Sequence, residues 1–257
     1  MEIDATLWLL TALAGFAAGL IDSIVGGGGL VLTPAMLNLH PGLNILQAIG
    51  TQRTSSIMGT SVAAWNYLRK IHIEWRILLP ACAAAMAASA IGVQFAKRLD
   101  PDLLKWTVLA ICVILAMYTV FRKDLGLKED RRFHPKHESL AALSIGTATG
   151  FYNGLIGPGT GTIMVFAFVS FLGLDFLKSS AVSKAANVSA DLSSWTVLML
   201  SGFVLWVLAV PLIIGNMLGS YIGSHMAICK GQTFVRAMFL VIVLALIARQ
   251  AWQLLTA

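Results

Sequence analysis

The chain has 257 residues, of which 58% are hydrophobic and only 12% charged, against about 25% charged in a soluble domain, and its mean hydropathy is +0.81. So much apolar surface excludes a water-soluble fold of this length and defines an integral membrane protein. The net charge of +6 does not indicate a nucleic-acid partner, because the basic residues fall mostly in loops between apolar segments, where they orient a chain in the bilayer.

The first predicted element, residues 6–25, follows an acidic start with no basic stretch and no small-residue cleavage site. It therefore reads as a retained helix rather than a signal peptide. It runs into "IVGGGGLVLTP" (24–34), four glycines in an otherwise apolar run. A breaker there exposes backbone groups where no water can satisfy them. The second segment, 30–40, is too short for a bilayer core of about 30 Å, so it belongs with the first as a broken or re-entrant hairpin. Segments 44–68, 75–97 and 102–121 follow, then the polar linker "RKDLGLKEDRRFHPKH" (122–137). Beyond it the pattern returns as 139–156, 160–172, 176–200, 203–228 and 233–252. Barrel-type alternation is absent, which leaves helices as the spanning elements. Cys82, Cys112 and Cys229 lie in or at the end of apolar segments at spacings unsuited to a metal, and read as small packing residues.

The chain is written twice. A shift of 131 positions places Gly15, Gly19, Gly26 and Gly28 on Gly146, Gly150, Gly157 and Gly159, and Pro80, Met86 and Ser89 on Pro211, Met217 and Ser220. The expected fold is an all-α integral membrane protein of two repeats: 1–123, a cytoplasmic linker 124–137, and 138–257. An odd number of net crossings per repeat turns the second upside down relative to the first. With both termini outside, the loop 69–76, the linker, Lys178 and Lys230 all fall on the cytoplasmic side, in keeping with the positive-inside rule. Inverted repeats with interrupted helices are the architecture of secondary transporters.

Ionisable residues at membrane depth are functional candidates by default, and four stand out: Asp22, Arg53, Lys184 and Asp191. Arg53 and Lys184 are repeat equivalents (53 + 131 = 184), so two cations are expected to converge near one pseudo-two-fold axis, with no acidic residue at equivalent positions to neutralise both. Gln52 and Ser56 accompany the first, and Asn187 the second. Snorkelling, or private pairing with Asp22 and Asp191, is the bland alternative. Asp22, whose equivalent is Asn153, is read as a counter-ion, a helix-end cap or a coupling site; Asp191 is read as a partner of Lys184 or a coupling group. The helix starts after the glycines are expected to aim backbone N–H groups at an anion, with Gly28, Gly29, Gly159 and Thr160 around it. Gly15 and Gly19 read as close helix packing. His225 reads as a packing histidine, and Trp65, Trp75, Trp195 and Trp206 as interfacial anchors.

The stretches "GLIDSIVGGGGLVLTPAML", "GFYNGLIGPGTGTIM", "AIGTQRTSS" and "AVSKAANVSA" resemble the sulfite exporter TauE/SafE family over nearly the whole chain. The resemblance implies a bacterial inner-membrane transporter of small sulfur-containing oxyanions, such as sulfite, sulfonates or thiosulfate. The residues themselves point to a secondary transporter that binds an anion between Arg53 and Lys184, and an anion channel of the same architecture shares every feature. Intramembrane proteolysis lacks its Gly-x-Ser-Gly motif, and no Walker A, paired-cysteine or HExxH motif occurs. No enzyme and no cofactor is expected. The expected partners are the anion and the bilayer, with homodimerisation left open.

Overall fold

The computed structural model describes residues 5–96, 126–127, 129–131 and 134–255. The predicted segment 102–121, Cys112 and much of the linker lie outside them. Within the described residues the chain is helical and contains no strand. The helices are α1 (Ala5–Val25), α2 (Gly28–Leu39), α3 (Ile45–Lys70), α4 (Trp75–Ala96), α5 (Pro135–Leu155), α6 (Thr160–Ala167), α7 (Phe176–Leu200) and α8 (Trp206–Leu255). A π-helical turn, Phe168–Leu172, prolongs α6. Gly231 interrupts α8 with φ 78° and ψ −171°, so that element contains both of the last two predicted segments.

Local chemistry sets these boundaries. The Asn44 side chain accepts the Gln47 N–H at 2.8 Å while the Gln47 side chain accepts the Asn44 N–H at 3.2 Å, a reciprocal cap that starts α3. At the position 131 further on, Asp175 accepts the Lys178 N–H at 2.8 Å and starts α7. α2 turns back along α1 as a hairpin, with the His40 ring 3.0 Å from the Thr11 hydroxyl in a buried contact.

Portions of α1, α4 and α8 are long and apolar enough to cross a membrane. α3 and α7, about 39 and 38 Å long at 1.5 Å per residue, are long enough but too polar to read as lipid-facing. They pack inside: Thr51, Ser55, Ser179, Ser183, Lys184 and Ser194 are all fully buried. The polar helices are the interior of the protein and the apolar ones its coat, as expected where lipid replaces water.

The coat helices approach through small residues. A Cβ on Gly15 of α1 would lie 2.7 Å from the Leu212 carbonyl oxygen of α8, and one on Gly146 of α5 would lie 2.5 Å from that of Ala81 in α4. One turn on, Gly19 abuts Asn216 and Gly150 abuts Ala85. The shift of 131 carries the α1–α8 contacts onto the α5–α4 contacts, residue by residue.

One end of the molecule is tied by charge. Arg131 donates to Glu74 at 2.8 Å and to Glu138 at 2.7 Å, and also pairs with Glu129, while Lys178 reaches Glu129 at 2.6 Å. The Asp130 N–H donates to the Gly173 carbonyl at 2.8 Å. This clasp gathers the α3–α4 loop, part of the linker and the α6–α7 turn. Burial pushes the Glu74 and Glu129 carboxyls up, but hydrogen bonds from Arg131 to both and from Lys178 to Glu129, with the charges of the two cations, outweigh it and hold both below the ordinary glutamate range. Carboxylates lowered in this way contribute fully above the ordinary range, and the contribution fades as pH falls through the lowered one.

Because backbone faces glycine across the α1–α8 seam, Gly19→Ala is expected to lower stability by about 1–3 kcal/mol, read as a drop in the melting temperature of detergent-solubilised protein. Gly42, which has nothing within 4 Å of an added Cβ, provides the control, and Gly42→Ala should leave the melting temperature within error.

Candidate functional site

The glycine run lies where two chain breaks cross. Gly26 has φ +98° and its equivalent Gly157 has φ +85°, a left-handed backbone that side chains resist. A Cβ on Gly161 would lie 2.7 Å from the Gly26 backbone, one on Gly28 2.6 Å from Asp22 Cβ, and one on Gly29 2.8 Å from Gln52 Nε2. Three of the four consecutive glycines therefore have a distinct steric or conformational reason. The Thr162 N–H donates across the crossing to the Gly26 carbonyl at 3.2 Å. Backbone groups freed by one break are thus partly satisfied by the other.

The helix starts fall at Gly28, two residues before the predicted segment 30–40, and at Thr160, where the predicted segment 160–172 begins. The Gly28 N–H donates to Asp22 Oδ1 at 3.3 Å, so the negative group at this helix start is a side chain of the protein. At the other start, Thr160 donates its hydroxyl to the Gly157 carbonyl at 2.6 Å.

The four ionisable residues are buried, with Lys184 at 0% and Arg53 at 5% exposure, and they form two cross-linked pairs. Lys184 Nζ donates to the Asp22 backbone carbonyl and lies 3.3 Å from Asp22 Oδ2. Arg53 donates to the Asn153 backbone carbonyl at 2.8 Å and to its side-chain oxygen at 3.1 Å. Asn153 is the equivalent of Asp22, so both cations grip the same point of their partner helix. The carboxylate near Arg53 is Asp191, at 3.7 Å. Asn153 donates to Asp191 at 2.9 Å and to Asn187 at 3.1 Å, and Thr60 donates to Asp22 at 3.1 Å.

This is the pairing with Asp22 and Asp191 that the sequence offered as the alternative, with Asp191 beside Arg53 rather than Lys184. The carboxylates come from non-equivalent positions: Asp22 answers to Asn153, and Asp191 to Thr60 (60 + 131 = 191). Comparing equivalent positions for a shared acid therefore finds none, although the three-dimensional cluster is balanced, two charges against two.

A small cavity of about 30 Å³ lies beside Arg53, room for a water or two. Gln52, Arg53, Ser56, Gly29, Gly159, Thr160, Asn187, Asp22 and Asp191 line it. Lys184, Asn153 and Gly28 are outside its lining: Asn153 lies behind Arg53, and Lys184 is locked on Asp22. Thr33, Gly157 and Pro158 also line it and were missed in sequence. Thr33 was legible as the polar residue one turn beyond Gly29 on an apolar helix; its hydroxyl lies 2.9 Å from the Gly29 carbonyl oxygen and also meets the Gln52 side-chain oxygen.

Other candidates lie apart. His225 is exposed, not packed inside; its ring stacks on Tyr221, near Cys229. Trp65, Trp75 and Trp206 are exposed on the coat, whereas Trp195 donates to the Thr54 hydroxyl at 2.8 Å. Among the described residues no cluster of His, Cys, Asp and Glu could hold a metal ion.

Apolar helices wrapped round a buried, charge-balanced centre define a multi-pass membrane protein with a polar interior. The chain belongs to the sulfite exporter TauE/SafE family, whose profile matches residues 11–249. It is 31% identical over 92% of its length to a probable membrane transporter protein of Sinorhizobium, 89% of which is covered. It is also 31% identical to a probable membrane transporter protein of Haemophilus influenzae, over 98% of both chains. A third relative, the probable membrane transporter protein YfcA of Escherichia coli, is 28% identical over 92% of this chain and 85% of its own. These names indicate a membrane transporter rather than an enzyme. No solved structure matches the chain.

Removing one partner of a buried pair leaves an uncompensated charge, at a cost of about 3–5 kcal/mol. Asp22→Asn and Lys184→Gln are each expected to destabilise strongly, and the double variant to recover much of the loss. Thermal unfolding of the four proteins as a double-mutant cycle measures the coupling; additive losses would refute the pairing.

Proposed function

We propose that the protein is a secondary transporter of a small sulfur-containing anion, such as sulfite or an organosulfonate, working as an exporter in the cell inner membrane. The observation that carries this reading is the cavity beside Arg53, where a buried guanidinium meets the amides and hydroxyls of Gln52, Asn187, Ser56 and Thr160. An oxyanion accepts hydrogen bonds and carries the charge that a guanidinium fork recognises. The family supplies the sulfur chemistry.

In this reading the carboxylates act as surrogate ligands. Asp191 and Asp22 hold Arg53 and Lys184 while the cavity is small, and an arriving anion takes their place. The exchange keeps the cations solvated throughout, which a membrane interior requires. Asp22, which holds Lys184, is also the candidate coupling group.

The architecture proposed for this transport is two inverted repeats, 1–123 and 138–257, joined by a cytoplasmic linker at 124–137, with both termini outside. Support comes from the recurrence of the α1–α8 packing in α5–α4, the paired caps at Asn44 and Asp175, and the donation by Arg53 and Lys184 to the backbone carbonyls of the equivalent positions 153 and 22. The clasp of Arg131, Lys178 and the α3–α4 loop at one end agrees with the basic side facing the cytoplasm. Rocking of one repeat against the other then gives alternating access.

In proteoliposomes, sulfite flux by Arg53→Ala is expected to fall by a factor of about 30 or more, in line with about 2–5 kcal/mol for an underpaired buried charge. Lys184→Ala should behave likewise, and normal flux in both would refute the site. Saturable flux with counterflow is the carrier's signature, whereas linear, non-exchanging flux would identify a channel. A thermal-shift series with sulfite, thiosulfate, sulfate, sulfoacetate, taurine and nitrate ranks the ligands, since the tightest binder stabilises most.

If Asp22 carries the proton, Asp22→Asn should leave anion binding measurable but flatten its dependence on pH. A pH profile in Asp22→Asn that matches the parent would exclude Asp22 from coupling.

A further inference from the structure

The cavity is off-centre with respect to the repeat. From α3 it takes Ile49, Gln52, Arg53 and Ser56; from α7 it takes Asn187 and Asp191. Ser56 and Asn187 are equivalents and mark the centre. The equivalents of Gln52 and Arg53 are Ser183 and Lys184 (52 + 131 = 183), and neither lines the cavity. Residues 157–161 of the second repeat also line the space, but along the α3–α7 pair it extends over Gln52 and Arg53 and is closed over Ser183 and Lys184.

The closed side carries unspent donors. Ser183 and Ser179, one turn apart on α7, are fully buried, and neither hydroxyl has a hydrogen-bond partner among the described residues. A buried hydroxyl without a partner is uncommon and costs on the order of 1–3 kcal/mol. On the open side the Gln52 side-chain oxygen meets the Thr33 hydroxyl. The residue equivalent to Thr33 is Met164, whose thioether offers no comparable donor, so position 183 has no counterpart of the Thr33 hydroxyl that meets Gln52.

We propose that Ser183 and Ser179, next to Lys184, form the second half of the anion path, closed here and opened when the protein faces the other side of the membrane. In that state Lys184 leaves Asp22, the Ser183 hydroxyl donates to the oxyanion, and Ser179 lines the way onward along α7. Thus Ser183 does in one orientation what Gln52 does in the other. The inference rests on the transporter reading above and adds the residues of its opposite-facing state.

Sidedness of cysteine modification tests it in the full-length protein, with Cys82, Cys112 and Cys229 replaced by serine. The probe is the anionic, membrane-impermeant sulfonatoethyl methanethiosulfonate, applied to intact cells and to inside-out vesicles. Ser56→Cys is expected to react from at least one face. Ser183→Cys is expected to react only from the face opposite to the one that labels Gln52→Cys, with Ser179→Cys sharing that sidedness. Labelling of Ser183→Cys and Gln52→Cys from the same face would overturn the proposal. So would absence of labelling at both Ser183→Cys and Ser179→Cys in variants that still move sulfite. Should Ser183→Cys fail to fold, Ser179→Cys decides alone. Loss of the anion reading looks different: sulfite flux then survives Arg53→Ala, whatever the labelling pattern.

Discussion

Two full positive charges buried in the interior of a membrane protein constrain everything else in this molecule. Taking one such ion out of water costs several kcal/mol even after relaxation. Here each cation is met by a carboxylate and a backbone carbonyl from the other half of the chain: Lys184 by Asp22, and Arg53 by Asp191 and Asn153. The partners bridge α1 to α7 and α3 to α5 and α7. The electrostatic requirement is therefore also a tertiary constraint, because neither half can solvate its own cation without the other. The polar helices α3 and α7 must sit inside, and the small-residue seams of α1, α4, α5 and α8 let the coat close round them.

The chain breaks answer the same requirement. Inside a continuous helix each carbonyl already accepts from its own ladder, so a buried ammonium would find only shared acceptors there. Asp22 and Asn153 sit in the last turn before each break, where carbonyls have lost their intrahelical partners, and there Lys184 and Arg53 donate. Gly26 and Gly157 then turn the chain through left-handed backbone, and the two turns stack closely enough that one supplies a carbonyl to the other's N–H. The glycines create acceptors for cations, and Asp22 occupies the donor left at Gly28. On the transporter reading an anion competes for donors that the protein already fills itself, so binding is an exchange of ligands rather than the filling of an empty hole.

Much of this was legible in the sequence. Hydropathy located the helices to within a few residues, and 176–200 coincides with α7, because Asp175 caps it and Gly202 follows. The offset of 131 brought out Arg53 and Lys184, Asp22 and Asn153, and the Gly15 and Gly146 seams, since residues that pack between halves recur at one fixed shift. What could not be read was who pairs with whom across the halves. Equivalence relates position 53 to 184 and 22 to 153, whereas contact relates 184 to 22 and 53 to 153. Charge neutrality is a property of the second relation, and a residue-by-residue comparison of repeats sees only the first. Thr33 escaped for a related reason: its equivalent is Met164, so the repeat gave it no weight.

The places where the two halves differ are where function has room to act. A perfect duplication would set two carboxylates, or none, at the level of Asp22 and Asn153, and again at the level of Thr60 and Asp191. Instead each level holds one, and the two cations are gripped differently. Lys184 touches its carboxylate directly, while Arg53 reaches Asp191 only at 3.7 Å, with Asn153 bonded to both. A guanidinium carries five N–H donors against three on an ammonium, so Arg53 can keep its hold on Asn153 and still present a fork to an oxyanion. The cavity lies beside that residue and not beside Lys184. The weaker of the two internal pairs thus coincides with the open space, and on the transporter reading an incoming anion meets first the cation whose own carboxylate stands farther off.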